Sequence, residues 1–424
     1  MANRILRGVR AYVNKLRLFR RNARLYLLNT ILAGVSFGVF RLLFNFYVLS
    51  LGYDEALLGQ LLTVSSVTAL LGALPAGYLS DQLGRKASLL LSSTFISCAI
   101  LGMVIWRTPT SFFAMNVLTG LAQSLSGVTA GPFLMENSGE TERTYLFSFS
   151  SGIQMVAGFV GNWFGGRLPG WLGAVGSVSA TSSTAYGWAI TVVAATSFLA
   201  LVPLGLLQRQ QTARQQGQAV LSPFQYASQH PALLGKLIGP MLITALGAGL
   251  LMPFMNLFFR VTYGRSDATI GALFAWGSLA MGIGLLAAPP LADRWGKMKL
   301  VVITQALSIP FLFLLGFSPW YGLSAFSYLV RLALMNMSNP VYQTFVMEQV
   351  EQEARGTVAS LVSMSWNFGW AFSPTVSGWL QVRYGFPPVF MGTLISYILA
   401  IYLYYRFFLR PGVARSSHTA SAPR

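Results

Sequence analysis

Long apolar stretches alternate with short polar segments over the whole length of the chain. Twelve of these stretches hold roughly 20 residues or more, the length of helix that crosses a hydrocarbon core of about 30 Å. A helix satisfies its backbone polar groups within its own segment, so the pattern predicts membrane-spanning helices. The predicted spans, numbered 1 to 12 in chain order, are Leu25–Leu49, Ala56–Leu79, Ala87–Trp106, Ser111–Met135, Tyr145–Leu168, Gly187–Leu207, Leu233–Val261, Thr269–Leu291, Leu300–Phe317, Tyr321–Met347, Thr357–Leu380 and Pro388–Leu409.

The polar segments divide the chain into five parts. Spans 1 to 6 lie within 25–207 and spans 7 to 12 within 233–410, and a polar, Gln-rich linker at 208–232 joins them. A basic segment, 1–24, and a short tail, 411–424, complete the chain. We therefore predict an all-α integral membrane protein built from two six-helix bundles.

An internal repeat relates the two halves of the sequence at an offset of 212 residues. Duplicated halves that enclose a site near the membrane midplane are a recurrent design of secondary transporters, in which one half rocks against the other. The repeat therefore predicts pseudo-symmetric bundles. The residues Gly59, Leu79, Asp81, Gly84, Phe133, Met135, Glu136, Arg143, Ser148 and Gly166 recur, without a gap, as Gly271, Leu291, Asp293, Gly296, Phe345, Met347, Glu348, Arg355, Ser360 and Gly378.

The polar segment after span 2 carries a motif that recurs after span 8. The first copy, GYLSDQLGRK, contains Gly77, Asp81, Gly84, Arg85 and Lys86, and the second, LADRWGK, contains Asp293, Gly296 and Lys297. Both copies resemble the G-x-L-a-D-r-x-G-r-k signature of the major facilitator superfamily. The resemblance implies a twelve-helix transporter in which these residues form a cytoplasmic latch. In such a latch, a carboxylate faces a helix N-terminus of the other half while the basic residues pair with nearby acids.

A glutamate and an arginine separated by six residues follow spans 4 and 10. The first pair is Glu136 and Arg143, and the second is Glu348 and Arg355. This spacing resembles the Glu-x6-Arg element of family members such as the sugar porters. We interpret all four residues as gate ion pairs that close the inner side and break when it opens. The alternative is that they are loop charges that follow membrane topology alone.

Span 5 is rich in small residues that resemble the antiporter motif of drug-exporting members, which ends G-P-x-x-G-G. Asn162 stands where that motif has its proline, and span 11 carries the complementary sequence SPTVSG. Small residues let membrane helices approach closely, and a proline bends them. The pattern favours export, although small-residue packing is common to all membrane helices. The predicted helix-packing residues are Gly152, Gly161, Asn162, Gly165, Gly166, Pro374 and Gly378.

Polar side chains inside the bilayer are the candidates for solute binding, because they are costly there and functional by default. Arg41 in span 1 and Arg331 in span 10 each lie about ten residues, or about 15 Å, from the outer end of the span. The resemblance implies that spans 1, 4, 7 and 10 line a central cavity. Residues at helical spacing on these spans complete the predicted substrate-binding surface, namely Asn45, Asn116, Gln123, Asn256, Tyr328 and Asn339.

The two arginines favour a solute that is anionic or a strong hydrogen-bond acceptor. Arginine stays charged and matches carboxylate, phosphate or sulfonate with two hydrogen bonds. The structural alternative is an arginine that snorkels or bonds to backbone carbonyls. No Asp or Glu lies deep within a predicted span, so the coupling alternatives are protons on Asp81, Glu136 or Glu348 near the inner surface and exchange of one solute for another. We predict no cofactor and no metal site.

Composition and charge narrow the class of protein. Apolar residues make up 54% of the chain and charged residues 9%, whereas about a quarter of the residues of soluble domains are charged. The net charge of +18 falls mostly on segments that flank apolar spans, so the expected partner is anionic lipid and not nucleic acid. Apolar residues at helical spacing in 1–24 favour a surface helix on that lipid, and a disordered basic tail is the alternative.

The distribution of Lys and Arg also predicts orientation, because cytoplasmic segments carry the excess. It places both termini in the cytoplasm of a multi-pass protein of the cytoplasmic membrane, which we expect to be a monomer. Five basic residues fall on the outer side, namely Arg107, Arg167, Arg260, Arg265 and Arg383.

Three functions fit these observations. The first is an exporter of small amphipathic compounds, neutral or anionic, which the span 5 motif favours. Flexible sulfur and aromatic side chains such as Met335 and Trp366 also suit varied ligands. The second is a carrier for one organic anion or sugar, which the arginines favour. The third is a receptor or scaffold that transports nothing. An enzyme is disfavoured, because no constellation of catalytic or phosphate-binding residues is evident.

Overall fold

The computed structural model describes residues 19–139, 142–208, 228–351 and 354–410, and these ranges contain helices but no strand. Predictions for the basic segment, the linker and the C-terminal tail fall mostly outside the described residues. The long helices are α1 (Arg21–Ser50), α2 (Glu55–Leu83), α3 (Arg85–Ile105), α4 (Pro109–Glu136), α5 (Arg143–Gly165), α6 (Ser183–Gly205), α7 (Pro231–Tyr263), α8 (Asp267–Trp295), α9 (Lys297–Phe317), α10 (Tyr321–Glu348), α11 (Arg355–Tyr384) and α12 (Pro387–Phe408).

These helices confirm the twelve predicted spans, with ends that differ by several residues. In the described part of the chain, eight helices are both long and apolar enough to cross a membrane. The other four long helices, α4, α5, α10 and α11, carry more polar residues. The repeat relates α4 to α10 and α5 to α11, so the same two helices of each half are the more polar ones. A short helix at Leu168–Val175, which the span pattern did not predict, lies between α5 and α6.

Local sequence explains where several helices begin, end or break. Thr108 caps α4 by accepting a hydrogen bond from the Ser111 amide, and Pro109 follows at the first helical position, where its missing N–H costs nothing. In α7 the prediction of one continuous helix is wrong. A 3-10 turn at Met252–Phe254 interrupts it, because Pro253 has no amide proton to donate to the α-helical ladder.

The chain folds into two compact units that do not coincide with the halves of the sequence. The first unit contains the chain up to Tyr53, Val64–Arg214 and Arg265–Ser278. The second contains Asp54–Thr63, Gln215–Gly264 and the chain from Leu279 onwards. The first turns of α2 therefore belong to the second unit, and the first turns of α8 belong to the first.

Each unit has an apolar cluster on the side predicted to be cytoplasmic. In the first unit the rings of Tyr26 and Phe133 lie 5.1 Å apart, beside the buried Leu89 and Leu134. In the second, the rings of Tyr342 and Tyr404 also lie 5.1 Å apart, in a T-shaped arrangement. Burial of such side chains supplies packing within each bundle, where lipid on the outside is as apolar as the core.

Candidate functional site

The glycines of the repeated motif form two equivalent turns. Gly84 has φ 82° and Gly296 has φ 86°, a left-handed conformation that residues with a Cβ seldom adopt. Each turn separates two helices without a linker, α2 from α3 and α8 from α9. The next residue, Arg85 or Lys297, therefore begins a helix close to the end of the preceding one.

Repeat-related ion pairs join these turns to the ends of α4 and α10. The Arg85 Nε lies 3.0 Å from Glu136 Oε1, and its Nη1 lies 2.8 Å from Asp81 Oδ1. In the second unit Lys297 pairs with Glu348, at the positions 212 residues further along. Both pairs connect residues 51 positions apart within one unit. The repeat thus conserves the link from the turn to the fourth helix of each half.

The structure places the other latch and gate residues around these pairs. Lys86 donates from its Nζ to the carbonyls of Gly205 and Leu207, at 2.7 and 2.6 Å, and so caps the end of α6. Glu136 pairs with Arg85 and not with Arg143, whose buried Nε has no hydrogen-bond partner in the described part of the chain. The side chain of Arg355 lies outside the described residues. The gating role of these residues stays a prediction.

We expect the Arg85–Glu136 pair to contribute to transport through its charge. Replacing either partner with a residue of opposite charge should slow transport by about two- to tenfold. Arg85 and Glu136 are partly buried, so their pair contributes at least the roughly 0.2–1 kcal/mol of an exposed pair, and repulsion between like charges adds to the loss. The double exchange Arg85→Glu with Glu136→Arg should recover most of the rate, measured as solute flux into proteoliposomes. Arg294→Glu, a charge reversal at an exposed arginine of the second unit, is the control and should change flux little.

The predicted helix-packing glycines lie at three close crossings. A Cβ added to Gly161 would lie 2.5 Å from the Val35 carbonyl oxygen of α1, and one added to Gly166 would lie 2.3 Å from the Asp267 carbonyl oxygen of α8. The repeat-related Gly378 would meet the Glu55 carbonyl oxygen of α2 at 2.2 Å. These approaches need residues without a side chain.

Of the other residues of the motif, Gly152 lies at no crossing, whereas Gly165, Asn162 and Pro374 each contact a neighbouring helix. A Cβ on Gly152 would meet nothing within 4 Å, and one on Gly165 would lie 3.0 Å from Val39 Cα. Asn162 and Pro374, which occupy equivalent positions, each present a carbonyl oxygen to a glycine of the neighbouring helix. A Cβ added to Gly271 would lie 2.5 Å from the Asn162 oxygen, and one added to Gly59 would lie 2.3 Å from the Pro374 oxygen. Proline and asparagine therefore serve the same crossing.

A cavity of about 340 Å³ lies within the second unit, lined by α7, α9, α10, α11 and α12 and partly open to solvent. Its volume is at the lower end of the roughly 300–1,000 Å³ typical of small-molecule sites. Amide and aromatic side chains dominate its wall, and none of the described lining residues is charged. They are Met241, Thr244, Gln305, Ser338, Asn339, Tyr342, Gln343, Val362, Ser363, Trp366, Asn367 and Tyr404. We call this space the amide cavity.

Of the predicted substrate-binding residues, Asn339 lines the amide cavity. Arg331 is buried, with 1% of its surface exposed, about two helical turns along α10. Its Nη2 donates to the Tyr397 hydroxyl at 3.0 Å, and its Nη1 lies 3.7 Å from the Met252 sulfur at the break in α7. Its Nε has no hydrogen-bond partner among the described residues. The arginine thus packs inside the second unit.

The remaining predicted residues divide into buried and exposed sets. Asn116 donates to the Phe112 carbonyl at 2.9 Å within its own helix, and Asn256 accepts from the Leu257 amide at 2.9 Å. The exposed ones are Arg41 and Gln123, and the further buried ones are Asn45 and Tyr328. The structure therefore gathers only part of the predicted surface into one described cavity, and the binding role of each residue stays a prediction.

Sequence reasoning missed two features. Gln343 and Asn367 line the amide cavity, and Gln343 could have been found because it lies one helical turn after Asn339 on the same face. The second feature is a hydrogen bond of 2.6 Å from the Tyr186 hydroxyl to the buried Asp267 carboxylate, which joins α6 to the start of α8. Asp267 resembled an ordinary acidic first-turn residue in the sequence, so no signal distinguished it.

Comparison with known proteins decides the family. The model of the Major Facilitator Superfamily matches residues 26–248 and 237–423, which together cover nearly the whole chain. The chain belongs to this family. Its members are membrane transporters, so the protein is a multi-pass membrane transporter, and the repeated motif, the twelve helices and the duplicated halves are features of that fold.

The known proteins that resemble the chain over most of its length are named for different solutes. The multidrug resistance protein MdtG of Dickeya zeae is 25% identical over 392 residues, which cover 88% of this chain and 91% of that protein. The inner membrane metabolite transport protein YhjE of Escherichia coli is 24% identical over 352 residues, or 76% and 77% of the two chains. The crystal structure of the nucleoside transporter NupG superposes with a TM-score of 0.72 at 16% identity, covering 92% of this chain and all of the other. The family is therefore certain, while its members differ in solute.

Proposed function

We propose that this superfamily transporter exports small amphipathic organic compounds, neutral or anionic, by alternating access. The observation that carries the proposal is the amide cavity, a small-molecule space with polar groups on an otherwise apolar and aromatic wall. The likeness to a multidrug resistance protein over nearly the whole of both chains supports export. The close crossings of α5 with α8 and of α11 with α2 suit alternating access, in which closely packed helices must close the solute pathway on one side of the membrane.

The proposed topology follows the distribution of charge. Both termini and the repeated motif lie on the cytoplasmic side of the cytoplasmic membrane, where anionic lipid faces the basic segments. The protein works as a monomer without a cofactor. Coupling uses either protons bound by acids of the motif region, such as Asp81 and Glu136, or exchange of one solute for another.

A second candidate function is a carrier for one defined solute. The observation that favours it is that Asn339, Gln343 and Asn367 make no hydrogen bond to any described residue, although all three line the amide cavity. Polar groups held ready for a ligand give strong discrimination, because an analogue that cannot pair with them leaves them unsatisfied. A defined carrier should show saturable, stereoselective flux of one compound, whereas an exporter should accept many.

The test is export from cells that lack their own efflux pumps. Expression of the protein should lower the accumulation of neutral or anionic amphipathic dyes. Asn339→Leu and Asn367→Leu should each raise the apparent KM for export by about two- to tenfold, since one hydrogen bond is worth roughly 0.5–1.5 kcal/mol. Asn336→Leu is the matched control on α10, because Asn336 donates to the Leu332 carbonyl in its own helix and does not line the cavity.

Unchanged accumulation of every dye would count against export. If flux of a single compound then responds to the Asn339 and Asn367 variants in proteoliposomes, the defined carrier is the function. If the control variant is as impaired as the cavity variants, the loss reflects folding and the amide cavity is not the site.

A further inference from the structure

The amide cavity carries two sets of polar groups, one on α10 and one on α11. Asn339 and Gln343 lie one helical turn apart on α10, and Ser363 and Asn367 lie one turn apart on α11. None of the four makes a hydrogen bond within the described part of the chain. Each amide offers one acceptor oxygen and two donor hydrogens. Together they form a polar edge able to donate and accept at neighbouring positions.

The other polar groups of the cavity are already engaged. Thr244 donates to the Pro240 carbonyl at 2.9 Å, Ser338 donates to the Met335 carbonyl at 2.8 Å, and the Tyr342 hydroxyl donates to the Leu237 carbonyl. The polar side chains that make no hydrogen bond within the described part of the chain, and so can bind a solute, therefore lie on α10 and α11. Aromatic and apolar side chains such as Trp366 and Met241 form the rest of the wall.

The amide set is absent from the other half of the sequence. At the offset of 212 residues Asn339 corresponds to Gly127 and Gln343 to Gly131, and Asn367 corresponds to Met155. By contrast, Asp81, Gly84, Glu136 and Gly166 of the latch and the crossings recur unchanged as Asp293, Gly296, Glu348 and Gly378. A scaffold role shared by both halves therefore does not explain the amides, whereas binding an asymmetric solute does.

Charge restricts the class of solute further. No described residue that lines the cavity is charged, and Arg331 lies about 12 Å along α10 from Asn339. A carboxylate bound against this wall meets no opposite charge there, and covering an unpaired charge costs far more than covering a neutral group that is hydrogen-bonded. The surroundings therefore disfavour the organic anion that the two arginines suggested.

We propose that the amide cavity binds uncharged, planar solutes that carry an adjacent donor and acceptor, such as aromatic carboxamides and lactams. This inference rests on the proposed transport function and specifies its solute. An Asn or Gln side chain pairs with such an edge through two hydrogen bonds, as it does with the donor–acceptor edge of adenine. The flat apolar body of the solute lies against the aromatic part of the wall, where ring contacts add to burial.

The test uses compounds that differ only in charge. Benzamide and 2-naphthamide are compared with benzoate and 2-naphthoate, and with glucose, for thermal stabilisation of the purified full-length protein. The carboxamides should stabilise it, with the carboxylates at least about tenfold weaker because of the buried charge. Asn339→Leu and Asn367→Leu should remove the stabilisation, and Asn336→Leu should keep it.

The outcomes separate this inference from the proposed function. Carboxylates that bind as well as the carboxamides, glucose that binds better, or stabilisation by none of the carboxamides would each overturn the solute class. Cells that still export amphipathic dyes in those cases would leave the transport proposal standing. Carboxamide binding that survives both cavity substitutions would also overturn the inference, because the site would lie elsewhere.

Discussion

Replacing Gly166 with leucine should reduce transport by tenfold or more. A Cβ at this position would lie 2.3 Å from the Asp267 carbonyl oxygen and 3.0 Å from Gly271 Cα, so the side chain cannot fit while α5 and α8 cross as they do. Forcing extra atoms into a close contact costs typically about 1–3 kcal/mol, and 1.4 kcal/mol is a factor of ten in an equilibrium. The two helices should move apart, and the protein should no longer adopt the conformation of the transport cycle in which α5 and α8 are in close contact.

The measurement is solute flux in proteoliposomes, with thermal stability of the purified variant beside it. Gly152→Leu on the same helix is the matched control, since a Cβ there meets nothing within 4 Å, and it should retain flux. Gly378→Leu should reproduce the loss, because its Cβ would meet the Glu55 carbonyl oxygen at 2.2 Å at the repeat-related crossing. Normal flux in Gly166→Leu would show that transport does not need this crossing.

The second large effect is expected at Arg331, among the largest fully buried side chains in the described structure. Arg331→Ala would leave a void and take the donor at 3.0 Å away from the Tyr397 hydroxyl. Truncating a large buried side chain costs roughly 2–5 kcal/mol, so the unfolding temperature in detergent should fall by several degrees. Arg331→Met keeps most of the volume and removes a buried charge that faces no acid among its described contacts, so its stability should match or exceed that of the natural protein.

Transport by the Arg331→Met variant distinguishes the two roles that the sequence allows for this arginine. If the residue only packs α10 against Tyr397 and the break in α7, flux should stay within about threefold of the natural protein, the scatter expected of a volume-conserving exchange. A variant that is stable yet moves no solute would instead support recognition of an anion, and would count against the uncharged solutes inferred from the amide cavity.

Most of the fold could be predicted from the sequence because the protein lies in lipid. A segment that crosses lipid must hydrogen-bond its own backbone as a helix and carry mostly apolar side chains, so each span appears as a long apolar run. The structure confirms all twelve spans. The break in α7 was missed, although Pro253 was visible, because prolines also occur inside unbroken α2 and α10, where Pro75 and Pro340 lie. Whether a proline bends or interrupts a helix depends on whether neighbouring groups hydrogen-bond the backbone carbonyl that the proline leaves without a donor.

The candidate site was less predictable. Asn339 was chosen from helical spacing and lines the amide cavity, whereas Arg331 was chosen for its charge and depth in the span and is buried against Tyr397. A helical pattern gives the face of a residue to within about one position, while a cavity depends on how neighbouring helices are tilted and broken. Gln343 and Asn367 became candidates only when α10 and α11 were seen together.

By itself the sequence determined the class of protein, its twelve helices, its duplication and the family motif that contains Gly84 and Gly296. These follow from local chemistry, since apolar length and repeated identity can each be read along the chain. Tertiary structure alone decided that Arg85, and not Arg143, pairs with Glu136, that Gly166 crosses α8, and that three unpaired amides share one uncharged cavity. Such contacts join residues far apart in sequence, and their energies depend on distances of a few ångströms that only packing fixes.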